Sequence, residues 1–278
     1  MNFTVIALTS VLTTSVSFAQ ATTNPNSAKK PNSIRVLAVG EPPISKVTML
    51  SNSLEERVAQ EIEVPAESLP PKTLFISKAE KKNAPRTGSE KEEERAKIPI
   101  SLGCMSPSIT LKTSLTDLQF RESEEESQNY FKASFPVGTK NGLVILSKPH
   151  SDKTWKKPRL LFLSDDLTAF PQDSVRIINS SSYTMGLIIG DQKLSFKPGQ
   201  VKTLPLKANS TIPYQVAIQS KDGGWVRIRN TALTLPTGQR VNLVLSNRPS
   251  NPHKPAKVNL FAETPPSPSP AKDLQARN

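Results

Sequence analysis

Two groups of basic side chains, each containing a tryptophan, are the residues whose types and spacing could do chemistry in this sequence. The first group is Lys153, Trp155, Lys156, Lys157 and Arg159. Cations neutralise a polyanion and an interleaved aromatic ring packs against it, so such groups can bind phosphate or other anionic polymers. The segment 150–158 is therefore predicted to be a basic connector with binding capacity.

The second group is Trp225, Arg227 and Arg229, which alternate along a predicted strand. Alternate side chains of a strand point to the same face, so these three would form one surface. Two interpretations stay open for both groups. Either they bind a polyanion, or they form an exposed basic sheet face that stays soluble and resists edge pairing.

Side chains suited to catalysis or metal binding are sparse. His150 and His253 are the two histidines, each in a Pro- and Lys-rich loop, and neither has metal-ligand spacing. The sequence contains no nucleophile elbow, zinc-protease motif, P-loop or dinucleotide-binding glycine pattern. Asp165-Asp166 is interpreted as a strand-ending turn, and cation binding by this carboxylate pair is the less favoured alternative. We expect no enzyme activity, cofactor or metal, although a hydrolase built from scattered carboxylates would leave no motif.

Positive charge is concentrated in one part of the chain. Residues 146–248 carry fifteen Lys and Arg, six Asp and no Glu, a net charge of +9 out of +12 for the whole sequence. An excess of this size favours an anionic partner. The partner predicted is a cell-envelope component or anionic polymer, with nucleic acid as the less favoured form.

The N-terminal residues predict export. Residues 3–16 carry no charge, and Ser17-Phe18-Ala19 supplies the small residues that precede a signal-peptidase cut. Residues 1–19 are thus a predicted signal peptide, which places the mature chain in the periplasm, on the cell surface or outside the cell. No stretch reaches the roughly 20 apolar residues of a transmembrane helix. The single cysteine, Cys104, excludes an intrachain disulfide and is expected to be a small core residue.

The elements that must position these residues are predicted from composition and periodicity. Segments poor in apolar residues are predicted to be disordered: a linker at 20–33, a charged insert at 78–97 and a Ser/Pro tail at 263–278. They delimit a first β domain at 34–149 and a basic second one at 159–262. One short helix is predicted at 53–62, where Leu54, Val58 and Ile62 have helical spacing.

Period-two alternation predicts strands through most of both domains. The predicted strands are 34–39, 108–112, 159–163, 174–178, 184–189, 193–196, 201–206, 214–219, 225–229 and 241–245. Turn residues such as Gly190-Asp191 and Asp222-Gly223-Gly224 separate them. The predicted fold class is mostly β, with two tandem antiparallel β-sandwich-like domains and disordered linkers.

An internal similarity marks the end of each domain. Residues 135–149 align without gaps on 235–249, with five identical positions. Each segment is interpreted as a turn, a buried closing strand and a proline stop. Either a duplication or a turn-and-strand pattern shared by unrelated strands would produce this similarity.

Several runs in the sequence resemble those of a family of uncharacterised exported bacterial β-sandwich proteins. The runs are 170–180 (FPQDSVRIINS), 197–199 (KPG), 212–217 (IPYQVA) and 238–240 (GQR), with an opening 34–43 (IRVLAVGEPP) and a closing 253–258 (HKPAKV). These are turn and strand signatures, so the resemblance implies architecture and export and brings no activity with it. The acidic insert and the Ser/Pro tail depart from the family.

These observations together predict a non-enzymatic exported protein that is a structural, adhesive or accessory binding component of the cell envelope. The alternative is a polyanion-binding module. In that alternative the basic second domain holds an anionic envelope polymer or nucleic acid through the two tryptophan-containing groups.

Overall fold

The computed structural model of the protein describes residues 32–43, 47–51, 57–61, 66–78, 96–111, 115, 118–124, 129–149 and 154–265. The predicted signal peptide lies outside the described residues. So do most of the linker, the charged insert and the Ser/Pro tail, and His150 and Lys153.

The described residues form short β-strands joined by turns. In chain order the strands are β1 (Asn32–Val39), β2 (Val47–Ser51), β3 (Arg57–Glu61), β4 (Thr73–Lys78), β5 (Ala96–Pro99), β6 (Ile109–Leu111), β7 (Leu118–Arg121), β8 (Phe131–Ala133), β9 (Asn141–Ser147), β10 (Arg159–Ser164), β11 (Ser174–Asn179), β12 (Met185–Ile189), β13 (Gln192–Phe196), β14 (Val201–Pro205), β15 (Thr211–Gln219), β16 (Trp225–Thr234), β17 (Arg240–Asn247) and β18 (Ala256–Glu263). One 3-10 turn spans Ala66–Ser68. Among the residues described, no helix is long and apolar enough to cross a bilayer.

Most strands belong to four-stranded sheets. Their orders are β5-β4-β7-β8 (sheet I), β10-β9-β1-β6 (sheet II), β14-β11-β17-β18 (sheet III) and β13-β12-β15-β16 (sheet IV), while β2 and β3 form a separate hairpin. The predicted fold class, mostly β with two sandwich-like halves, is confirmed. The strands predicted from 159–163 to 241–245 match β10 to β17, and β18 is an additional strand that the alternation did not indicate. β10 pairs with β9 in sheet II, however, so it belongs to the first sandwich and the predicted start of the second domain at residue 159 is wrong.

Three apolar cores hold the sheets together. The first lies between sheets I and II and contains Ile34 and Phe120. The second lies between sheets III and IV and contains Val216 and Leu243. A third core, which includes Ile145 from sheet II and residues of sheet III, lies between the two sandwiches. Sheets II and III are therefore covered on both faces, and the sheets stack in the order I to IV.

Each of the two inner sheets contains one parallel strand pair within an otherwise antiparallel arrangement. β1 pairs with β9, and β11 pairs with β17, in parallel. Strands covered on both faces are expected to be continuously apolar, and Leu143-Val144-Ile145-Leu146 of β9 are all buried. The prediction of antiparallel sheets did not include these pairs.

The inner sheets have equivalent topologies, since β10-β9-β1-β6 corresponds to β18-β17-β11-β14 in both order and strand direction. β9 and β17, the closing strands of the internal similarity, occupy the same place. The gapless alignment nevertheless pairs Val144 of the first core with Val244 of the third core. A one-residue change of register would restore equivalent faces. The topology favours a duplication.

Three sequence expectations need correction. The helix predicted at 53–62 is wrong, because Arg57–Glu61 forms the strand β3, which pairs with β2. Cross-strand pairing outweighs the weak helical spacing of so short a segment. Cys104 is exposed rather than a core residue, at a turn where Gly103 has a φ of 76°. Glu263 ends β18 instead of beginning the tail, because its carboxylate bonds to arginines between the sandwiches.

Candidate ligand-binding face

The first tryptophan-containing group does not form an exposed aromatic surface. Trp155 is 2% exposed and belongs to the first core, with its ring against Gly40. Its backbone N–H donates to the Glu67 carbonyl at 2.9 Å, and its carbonyl accepts from the Tyr130 hydroxyl. The expectation that Trp155 offers its ring to a polyanion is therefore wrong, because the connector folds back onto the first sandwich.

The basic neighbours of Trp155 have different surroundings. The Lys156 ammonium is exposed and pairs with Glu67 at 2.8 Å. Lys157 is exposed, and Lys153 lies outside the described residues. Arg159 is partly buried and donates through Nη1 to the Ser181 carbonyl at 3.2 Å. The described basic side chains of this group therefore do not gather around an accessible ring.

Among the described residues, no further sheet covers the face of sheet IV on which Trp225 lies. Trp225 begins β16, an edge strand of sheet IV, and is 54% exposed. Its cross-strand partner is Gln219, and the next outward position, Arg227, pairs with Ala217. These residues lie on the face of sheet IV that points away from the second core.

A β-bulge separates the two arginines that were predicted to share a face. The register shifts between Val216 and Ala217, so Arg227 lies opposite Ala217 and Arg229 lies opposite Val216. Val216 is fully buried in the second core, so the register places Arg229 opposite an inward-facing partner, although the side chains of Arg227 and Arg229 are both exposed. One extra residue in a bulged strand interrupts the alternation on which the predicted common surface of the two arginines depends.

The indole of Trp225 lies across the sheet, over small residues. A Cβ built on Gly186 would come within 2.9 Å of the indole Cζ3 atom. Gly186 is on β12, two strands away from Trp225, and its partner on the intervening β15 is Ala217. Small side chains at both positions let the ring lie on the sheet instead of standing away from it.

A groove of about 490 Å³ borders this ring. It is lined by Gly186, Leu187, Ile188, Lys193, Leu194, Ser195, Gln215, Val216, Ala217, Trp225 and Arg227. The charged lining residues are both cations, and none of the lining residues is a carboxylate. We call Gly186, Lys193, Gln215, Trp225 and Arg227 the Trp225 face. Sequence reasoning found only Trp225 and Arg227, because the other three lie on strands brought alongside by tertiary pairing.

A second cavity, of about 860 Å³, lies beside the first core. Trp155 contributes to its wall, but the indole Nε1 is inaccessible and has no hydrogen-bond partner among the described residues. The remaining walls mix apolar side chains with Glu67, Lys72, Glu122 and Lys156. Charges of both signs give this cavity no net preference for an anion.

The adjacent carboxylates Asp165 and Asp166 are both engaged in holding the fold. Asp166 accepts from the backbone N–H groups of Lys140 and Asn141, each at 3.0 Å. Burial alone would raise the pKa of Asp166, but these bonds and the one from Ser164 hold it below its ordinary value. Within the described part of the chain, no cluster of three or more His, Cys, Asp or Glu could hold a metal ion.

Asp165 belongs to an ion network between the two sandwiches. Its carboxylate bonds to Arg35, to Arg176 at 2.8 Å and to Arg240 at 3.1 Å. Glu263 accepts from Arg240 at 2.9 Å and also from Arg35. Arg176 and Arg240, counted above in the charge of the basic domain, are thus 3% exposed at their side chains and paired internally. Only the remaining cations can meet a ligand.

Comparisons with known proteins do not assign the chain to a family. No protein-family model matches it, and no curated protein matches it. A solved structure described as a "putative cell adhesion protein from Bacteroides ovatus" aligns with 84% of this chain and 97% of its own, at 10% sequence identity and a TM-score of 0.22. A similarity of this size does not establish a shared fold.

Proposed function

We propose that the protein is a non-enzymatic, exported binding protein of the cell envelope that attaches to an anionic polymer through the Trp225 face. The observation that carries this proposal is an exposed indole, laid across a sheet, beside a groove whose two charged side chains are both cationic. Large exposed aromatic side chains are typical of interaction surfaces, because their burial on binding removes much apolar area from water.

The electrostatics of the face support an anionic partner. Lys193 and Arg227 are exposed, and the groove between them contains no carboxylate to pair with them. They contrast with Arg176 and Arg240, which are paired inside the fold, and with Lys156, which pairs with Glu67. Within the described part of the chain neither groove cation forms an ion pair, so these are the cations that an incoming anion would meet first.

The placement of the carboxylates supports the non-enzymatic part of the proposal. Asp165 and Glu263 are bonded to buried arginines, and Asp166 accepts from two backbone N–H groups. General acid or base catalysis requires a carboxyl group that can reach a bound substrate. These three carboxylates hold the fold instead.

Salt-dependent binding tests the proposal. The full chain would be titrated with heparin at several salt concentrations, comparing wild type with the double variant Lys193→Gln/Arg227→Gln. Lysines 156 and 157 supply the matched control, Lys156→Gln/Lys157→Gln, which removes the same charge from another surface. We expect the first variant to weaken binding and reduce the slope of log affinity against log salt by about two, since each cation contributes about one counterion. An equal loss in both variants would show that net charge, and not this face, attracts the polymer.

A further inference from the structure

We infer that the anionic polymer is an acidic polysaccharide that crosses the strands of sheet IV, with one sugar ring stacked on Trp225 and acidic groups on either side paired with Lys193 and Arg227. This inference rests on the proposed function and adds the chemical class of the ligand and its direction on the sheet.

The indole of Trp225 offers one of its two faces to a ligand. Because the ring of Trp225 reaches over β15 to Gly186, one of its faces lies toward the sheet. The residue is still 54% exposed, which leaves the opposite face open to solvent. An open aromatic face is a flat apolar platform, and the C–H face of a sugar ring is a flat group that can cover it.

The positions of the two cations give the direction of the chain. Lys193 is on β13 and Arg227 is on β16, the two edges of sheet IV, with Trp225 extending between them. Three inter-strand spacings separate the edges, a distance of about 14 Å between the strand axes. The two cations therefore start from opposite edges of the sheet. A polymer with repeated acidic groups can pair with both cations while a ring between them rests on the indole.

The rest of the lining favours sugar over nucleic acid. Proteins that bind single-stranded nucleic acid stack successive bases on several aromatic side chains. Trp225 is the only aromatic among the residues lining this groove. Gln215 and Ser195 add an amide and a hydroxyl to the lining, and such neutral groups can exchange hydrogen bonds with sugar hydroxyls.

Four probes distinguish the possible ligand classes: polygalacturonate and heparin as acidic polysaccharides, polyphosphate as a polyanion without rings, and oligothymidylate as a single-stranded nucleic acid. Affinities would be measured for wild type, Trp225→Ala and Trp225→Phe. We expect Trp225→Ala to weaken polysaccharide binding about tenfold while leaving its salt slope unchanged, with partial recovery in Trp225→Phe. Polyphosphate binding should barely respond to either substitution.

The outcomes separate this inference from the proposed function. Equal affinity for polyphosphate and the polysaccharides, with no selective effect of Trp225→Ala, would overturn the inference and leave a general polyanion site. Tightest binding of oligothymidylate, lost in Trp225→Ala, would overturn it in favour of nucleic acid. Failure of all four probes to bind would overturn the proposed function itself. Thermal unfolding of each variant verifies that loss of binding is not loss of fold.

Discussion

Asp165 offers the sharpest test of how the two sandwiches are held together. The network around it contains three arginines and two carboxylates, so it carries one net positive charge. Asp165→Asn would keep the side-chain shape and raise that charge to two. It would also place an amide N–H₂ group, a donor, among guanidinium donors that need acceptors.

The expected loss of stability follows from the bonds that Asp165 makes. Each of its three charge-assisted bonds is worth about 1.5–3 kcal/mol. The arginines keep other acceptors, however: Arg35 and Arg240 retain Glu263, and Arg176 retains the Ser164 carbonyl at 2.8 Å. The contributions are therefore not additive, and we expect the variant to lower the free energy of unfolding by about 3–5 kcal/mol.

Urea denaturation would measure this loss, and the two tryptophans report on different sandwiches. Trp155 is buried in the first core and Trp225 lies on sheet IV, so single-tryptophan variants follow each half separately. The exposed Asp191 supplies the control Asp191→Asn, for which we expect a change within about 0.5 kcal/mol. Adding Arg35→Gln to Asp165→Asn should recover part of the loss by removing one partly buried charge that has lost its Asp165 partner. A loss no larger than that of the control would refute the idea that this network holds the interface.

Three further predictions concern the effect of pH, the exposed ring of Trp225 and the glycine beneath that ring, Gly186. Burial alone would raise the pKa of Glu263, but hydrogen bonds and charges from Arg35 and Arg240 lower it. The stability that Glu263 contributes is therefore present above the pKa of a glutamate in the unfolded chain, about 4.3, and is lost as the pH falls through the lower pKa of the folded state. Denaturation measured at several pH values should show a smaller loss of stability in acid for Glu263→Gln than for wild type. Iodide should quench Trp225 fluorescence but not that of Trp155, as Trp225→Ala would reveal by leaving an unquenched signal. Gly186→Ala should displace the indole and weaken polymer binding, measured by titration, while the unfolding midpoint changes little.

The strands β10 to β17 could be predicted from the sequence because their signals are local. Alternation between polar and apolar residues, with turns such as Gly190-Asp191, identified β10 to β17 within a few residues. The parallel pairs could not be predicted, because β1 and β9 are distant in the chain. Arg176 and Arg240 were also missed as buried residues, since a charged side chain on a strand is typical of a solvent-facing position.

The candidate site was only partly predictable for the same physical reason. Trp225 and Arg227 are close in sequence, and their alternation indicated a common face. Gly186 and Lys193 join them only through strand pairing in sheet IV, so no local pattern connects them. The bulge opposite Val216 interrupts the alternation between Arg227 and Arg229, and a single extra residue of this kind leaves no clear mark in the sequence.

The contact between Arg35 and Glu263 joins the first and the last described strands, 228 positions apart. Contacts over such separations slow folding, because a long stretch of chain must be ordered before they form. A nascent chain that has completed the first sandwich would still expose Arg35 and the apolar face of sheet II that packs against sheet III. That face is covered only after β11, β17 and β18 have been synthesised and have folded. The interface between the two sandwiches is therefore completed only at the end of folding, and a chain interrupted before β18 would lack both Phe261 of the third core and the Glu263 carboxylate that bonds to Arg35 and Arg240.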